Sequence, residues 1–199
     1  MISLGQQCAR ITAGRATARQ AASWTRLLCA FLLATPCAGV RAAPPTEYEV
    51  KAAFIHNIAK FVEWPVALPA SGRARLCLLG DDPSGGTFDV LQGKQVDKAN
   101  WEVVKVDAGS SLKACRVLFI AASERADLGR ILAGMADSPV LTVGDTAGYA
   151  ERGVMVNFYP EGSRVRFEIN RAAAARARLV ISSQLLRLAR LVDETGGGR

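Results

Sequence analysis

The spacing of apolar positions changes several times along the chain, and the changes predict an order of elements. Apolar residues at Tyr48, Ala52, Ile55, Ala59 and Val62 keep helical spacing, and Phe54, Ile58 and Phe61 widen the stripe. Trp64-Pro65 ends this helix, because the residue before a proline avoids the helical region. So broad an apolar surface needs a partner on more than one side. Phe54, Ile58 and Phe61 are therefore candidates for a contact surface as well as for core.

Beyond it, short apolar runs alternate with helical segments. Residues 76–79 read as a buried strand ending at Gly80, and a small helix around 87–91 ends at Gly93. Residues 102–106 form a second strand, with 94–96 pairing locally, and 117–120 a third. Ser123 is placed to cap a helix running to about Met135, before a fourth strand at 140–143. Apolar runs separated by helices imply a parallel sheet with right-handed crossovers. The pattern then changes: residues 154–158 and 165–169 flank Pro160-Glu161-Gly162-Ser163 at hairpin spacing. In the second run Arg164, Arg166 and Glu168 alternate with apolar residues, so one face should be wet. Asn170 can cap an alanine-rich helix. Ser182 or Ser183 can cap a last one, with the stripe Leu185, Leu188, Ala189 and Val192. The expected fold is a three-layer α/β domain: a Rossmann-like or flavodoxin-like core, mostly parallel, with a C-terminal antiparallel hairpin.

Charge changes the picture only at the N-terminus. The chain has 199 residues and a formal charge of +7. Residues 1–42 hold five arginines and no acid, which leaves 20 basic and 18 acidic residues in the rest. The body therefore offers no electrostatic case for nucleic acid. The basic stretch up to Arg26, the apolar core at 27–34 and the small residues before Val40-Arg41-Ala42 read as a secretory signal, cut before Ala43. That core is about half the ~20 residues of a membrane-spanning helix. The domain is then expected over 43–195, with a loose glycine tail at 196–199.

Export also simplifies the cysteines. Cys8, Cys29 and Cys37 leave with the signal, and Cys77 and Cys115 remain. In the common doubly wound order the first and third strands are adjacent, about 4.8 Å apart, which puts these two within bridging reach. The alternative is two unconnected buried thiols.

The loop Gly80-Asp81-Asp82-Pro83-Ser84-Gly85-Gly86-Thr87 lies between strand and helix, where phosphate loops occur. Gly86 stands where a phosphate loop needs lysine, and Asp81 and Asp82 would repel the anion. Two readings remain open. The loop is a tight turn in which aspartate caps amides, or it belongs to a ligand or partner crevice. Asp81, Asp82, Ser123 and Asp145 would meet there, beyond the carboxyl ends of the strands. Catalytic constellations are missing from the pattern. His56 is the single histidine, no G-x-S-x-G elbow exists, and zinc would lack ligands. No catalytic residue, metal or cofactor is expected.

Several segments together resemble the YfiR family of exported bacterial proteins. The opening one is Tyr48-Glu49-Val50-Lys51-Ala52-Ala53-Phe54-Ile55-His56-Asn57-Ile58-Ala59-Lys60-Phe61-Val62-Glu63-Trp64-Pro65. The others are Cys77-Leu78-Leu79-Gly80-Asp81-Asp82-Pro83, Cys115-Arg116-Val117-Leu118-Phe119-Ile120, Leu141-Thr142-Val143-Gly144-Asp145, Val165-Arg166-Phe167-Glu168-Ile169-Asn170 and 181–189. They keep the family's order over nearly all of 47–192. The resemblance implies a periplasmic repressor, dimeric and disulfide-dependent. Such a protein binds the periplasmic sensor part of an inner-membrane diguanylate cyclase, YfiN, and an outer-membrane lipoprotein, YfiB, can sequester it. Cyclic-di-GMP and biofilm formation would fall under its control. Some members carry a second cysteine pair late in the chain; here no cysteine follows Cys115, so only Cys77 and Cys115 carry over. A periplasmic small-ligand sensor using the strand-end crevice is the competing expectation, and a secreted enzyme a third.

Overall fold

The first element is the helix that the apolar stripe predicts. In the computed structural model, which describes residues 45–65 and 72–193, this helix, α1, runs Glu47–Lys60. Thr46 starts it with a capping box. Its hydroxyl accepts the Glu49 N–H, and the Glu49 carboxylate accepts the Thr46 N–H. Ala52, Ile55, Ile58 and Ala59 form the buried side. Val62, the last position of the expected stripe, is not helical. It lies in a two-residue strand, β1 (Val62–Glu63).

The parallel core follows. It comprises β2 (Arg73–Leu79), a 3₁₀ turn at Thr87–Leu91, β3 (Gln95–Val96), β4 (Ala99–Val106) and β5 (Val117–Ile120). Helix α2 (Leu128–Gly134) then leads to β6 (Leu141–Gly144). Strands β7 (Val156–Glu161) and β8 (Arg164–Asn170) make the expected antiparallel hairpin. The chain ends with α3 (Arg171–Arg176), β9 (Val180–Ile181), α4 (Ser183–Leu186) and β10 (Arg190–Val192).

The main sheet has the order β10-β8-β7-β6-β5-β2-β4-β3. Its centre, β4-β2-β5-β6, is parallel and has the flavodoxin-like order. β3 pairs locally with β4, as expected, and β1 pairs with β9 in a separate ribbon. Alternate strand residues face opposite sides, which creates two cores. On one side α1, Phe88 and Leu91 pack on Leu76, Leu78, Val117 and Phe119, and further along on Phe158 and Phe167. On the other, Leu128 and Ile131 of α2 pack with Tyr149 on Leu79, Leu118 and Ile120. The result is the three-layer α/β architecture.

Cys77 and Cys115 are joined by a disulfide on the α2 side, with Cα atoms 5.9 Å apart. The topology explains it. β2 and β5 are parallel neighbours, and Cys77 lies opposite Leu118, three residues after Cys115.

Three expectations need correction. Ser123 does not cap a long helix. It sits in a 3₁₀ turn at Ala122–Arg125, and its hydroxyl accepts the Asp81 N–H instead. The final helix stops after four residues, although Ser182 does cap it. Leu188 is exposed, and Arg190–Val192 is an edge strand parallel to β8. Nor is Glu168 wet: it is 2% exposed. These last two departures share a cause. A buried carboxylate needs a charged partner, and the strand register sets Arg190 directly opposite Glu168. Arg190 donates to that carboxylate while stacking on the Tyr159 ring, and Asn157 donates to it as well. The expected signal at 1–42 and tail at 196–199 lie outside the described residues.

The bridge spans 38 residues. Replacing both cysteines with alanine should therefore lower the unfolding free energy by about 4 kcal/mol on the chain-entropy model. Urea denaturation of the oxidised protein and the double variant measures this. Coincident midpoints would mean that the bridge contributes nothing.

Candidate functional site

The carboxyl ends of β2, β5 and β6 bring the four expected crevice residues to one end of the sheet. Gly80 and Gly144 close two of these strands, and both positions require glycine. At Gly80 φ is +88°, and a Cβ would lie 2.3 Å from the Ser123 hydroxyl. At Gly144 a Cβ would lie 2.6 Å from the Tyr149 ring. Chain segments therefore press closely on the strand ends. The Tyr149 hydroxyl donates to the Ala121 carbonyl just beyond β5.

Each of the four residues has an internal partner. Asp81 offers its backbone N–H to Ser123, and both residues are exposed. The Asp82 side chain is buried, and its two oxygens accept from the Ser84 N–H, the Ser84 hydroxyl and the Gly86 N–H. Lys105 lies 3.3 Å away. Burial pushes this carboxyl up, but the hydrogen bonds from Ser84, Lys105 and Gly86 outweigh it and hold the group below its ordinary range. Asp82 thus shapes its own turn.

Asp145 meets α1. Its Oδ2 accepts from Lys51 Nζ at 2.7 Å and from the Tyr48 hydroxyl at 3.0 Å. The Lys51 and Asp145 side chains are only 6% and 8% exposed. Lys51 also reaches Glu47 at 2.6 Å and lies over the Tyr48 ring. Burial, then the charge of Asp145 and its hydrogen bond, push the Tyr48 phenol far above its ordinary value, so it remains a donor. Tyr48 and Lys51 are the residues that periodicity missed. In the sequence pattern Tyr48 is only an apolar stripe position. The available signal was Glu47 followed four residues later by Lys51, a pair that lies on one helix face.

The proposed contact helix divides three ways. Ile58 is buried core. Phe54 is half-buried and packs on Phe158 and Phe167. With Val50, Pro160 and Val165 it lines a cleft of about 590 Å³ between α1 and the hairpin. Phe61 is exposed. His56, on the same helix, accepts the Trp101 indole N–H at Nδ1, 3.1 Å away. Burial and then Lys60 and Lys94 push its titration below the ordinary value.

This end of the sheet holds two carboxylates bound by internal donors, a buried lysine and a docked helix. Among the described residues no cluster of three His, Cys, Asp or Glu could hold a metal, and no helix is long and apolar enough to cross a membrane. The class it defines is a flavodoxin-like α/β domain in which Tyr48 and Lys51 of its own first helix engage Asp145 at the end of β6. The YfiR/HmsC-like family model matches residues 48–190, and the chain belongs to that family, which is one of periplasmic regulators. No curated protein matches. Among solved structures, a conserved domain protein from Vibrio cholerae O1 biovar El Tor is similar in fold, with a TM-score of 0.51 at 12% identity. The similarity covers 76% of this chain and 62% of that one, so this chain spans less than two thirds of that relative's length.

Removing Asp145 leaves the buried Lys51 with only the exposed Glu47 as a counter-charge. Asp145→Asn should cost about 3 kcal/mol. The double variant with Lys51→Met should cost clearly less than the two single changes together, with a coupling of about 1–3 kcal/mol. A double-mutant cycle by chemical denaturation measures this, and simple additivity would contradict the pairing.

Proposed function

We propose that this chain is a periplasmic regulator that represses an inner-membrane diguanylate cyclase. It binds the cyclase's YfiN-like periplasmic sensor region, lowers cyclic-di-GMP and so restrains biofilm formation. Membership of the YfiR/HmsC-like family over residues 48–190 carries the reading. The Cys77–Cys115 bridge supports it, since such bonds persist in oxidising compartments such as the periplasm. A secretory signal over 1–42, a domain over 43–195, a homodimer and relief by a YfiB-like outer-membrane lipoprotein belong to the same proposal.

The physical demand on such a repressor is differential affinity. It must bind the inactive cyclase more tightly than the active one, by about 5.5 kcal/mol for a near-complete switch. A stapled α/β domain suits this, because little ordering entropy is lost when a rigid surface binds. Phe54 and the cleft beside the hairpin, together with exposed Phe61, are the proposed contact surface on the α1 side. The competing small-ligand reading has less support, because both Asp82 oxygens and Asp145 Oδ2 already accept from internal donors.

Deleting the gene should raise cellular cyclic-di-GMP and biofilm severalfold, and the wild-type gene supplied in trans should restore both. Cyclic-di-GMP quantified in extracts decides it. An unchanged level after deletion would count against repression.

A further inference from the structure

His56 is the only histidine in the chain, and it accepts the hydrogen bond of a buried indole. Trp101 on β4 is 1% exposed, and its Nε1–H points at His56 Nδ1 from 3.1 Å. The contact constrains the ring. Nδ1 must carry a lone pair, so the imidazole is neutral with its proton on Nε2. Protonation would place an N–H on Nδ1 and set two donors against each other. The buried indole would then bear the cost of an unmade hydrogen bond.

The surroundings add to this. α1 itself contributes Lys60, one turn beyond His56, and the turn before β3 contributes Lys94. From β4 the facing group is the indole. Among the described residues the charges that bear on the ring are these two cations, so a charged imidazole would be a third positive group beside them. The helix end beyond it leads into β1, which pairs with β9. Val180 lies on that ribbon and Phe61 caps α1 just before it, both exposed.

We infer that His56 and Trp101 form an acid-sensitive latch, which strengthens the hold of β4 on the C-terminal half of α1 while the ring is neutral and is lost when the ring takes a proton. The latch is closed at neutral pH. Burial and the two lysines lower the folded-state titration below the unfolded value of 6.5. The unfolded chain therefore binds the proton more readily. The stabilisation is complete above that value and is lost as pH falls below it. This inference concerns the chain's own folding and does not depend on the identity of any partner.

The lone histidine makes the test direct. Ring-proton NMR of the oxidised protein gives the titration curve, and Trp101→Phe identifies the indole signal. The expected midpoint lies below 6.5, and the Trp101 indole resonance should shift with the same midpoint. His56→Gln retains an acceptor but cannot titrate. The wild type should lose about 2–4 °C more in Tm than this variant between neutral pH and pH about 5. A midpoint at or above 6.5, an indole signal indifferent to the titration, or equal acid sensitivity in the two proteins would overturn the latch. Should His56→Gln fail to fold, the wild-type NMR curves alone decide.

Discussion

The Lys51–Asp145 ion pair is the constraint on which the rest of the site depends. Apolar burial drives α1 onto the sheet through Ala52, Ile55, Ile58 and Ala59, but that force has no preferred direction. A lysine and an aspartate that are both nearly excluded from water tolerate only one docking. The pair ties the first helix to the end of β6, 94 residues later in the chain. It also determines what the strand ends can do. In this class of fold the crevice beyond the strands is where ligands bind. Here a lysine and a tyrosine of the protein's own helix are inserted there, and the acids are neutralised from within.

That arrangement is what the proposed regulator reading draws on. The other face is held by the Cys77–Cys115 bridge, which joins β2 to the approach of β5. Charge is used the same way at the sheet edge, where buried Glu168 recruits Arg190 and with it the last strand. Polar groups thus pin each layer. An apolar cleft lies between α1 and the hairpin, lined by Val50, Phe54 and Val165. A regulator that recognises one state of a signalling enzyme needs such a surface on a frame that does not yield.

Much of the frame was readable from local pattern. Buried strands such as 117–120 announce themselves as short apolar runs, and the hairpin by Pro160 to Ser163 between two alternating segments. The bridge follows from the strand order, because adjacency is a property of topology. What escaped was set by contacts distant in sequence. Ser123 looks like a helix cap locally, yet its hydroxyl is claimed by Asp81, 42 residues earlier. Residues 188–192 continue a helical stripe on paper, but the unpaired charge of Glu168 draws Arg190 into strand pairing. At the site, Asp145 could be placed at a strand end from the sequence. Its partner Lys51 could not, since nothing local says which strand a helix will cross.

The central claim is that this protein works by binding another protein and not by transforming a substrate. The most direct measurement adds the purified, oxidised protein to membranes carrying the cyclase and follows conversion of GTP to cyclic-di-GMP. The account predicts saturable inhibition by the oxidised form and weakened inhibition once the bridge is reduced. Cyclase activity that stays constant at every concentration of the oxidised protein would contradict it.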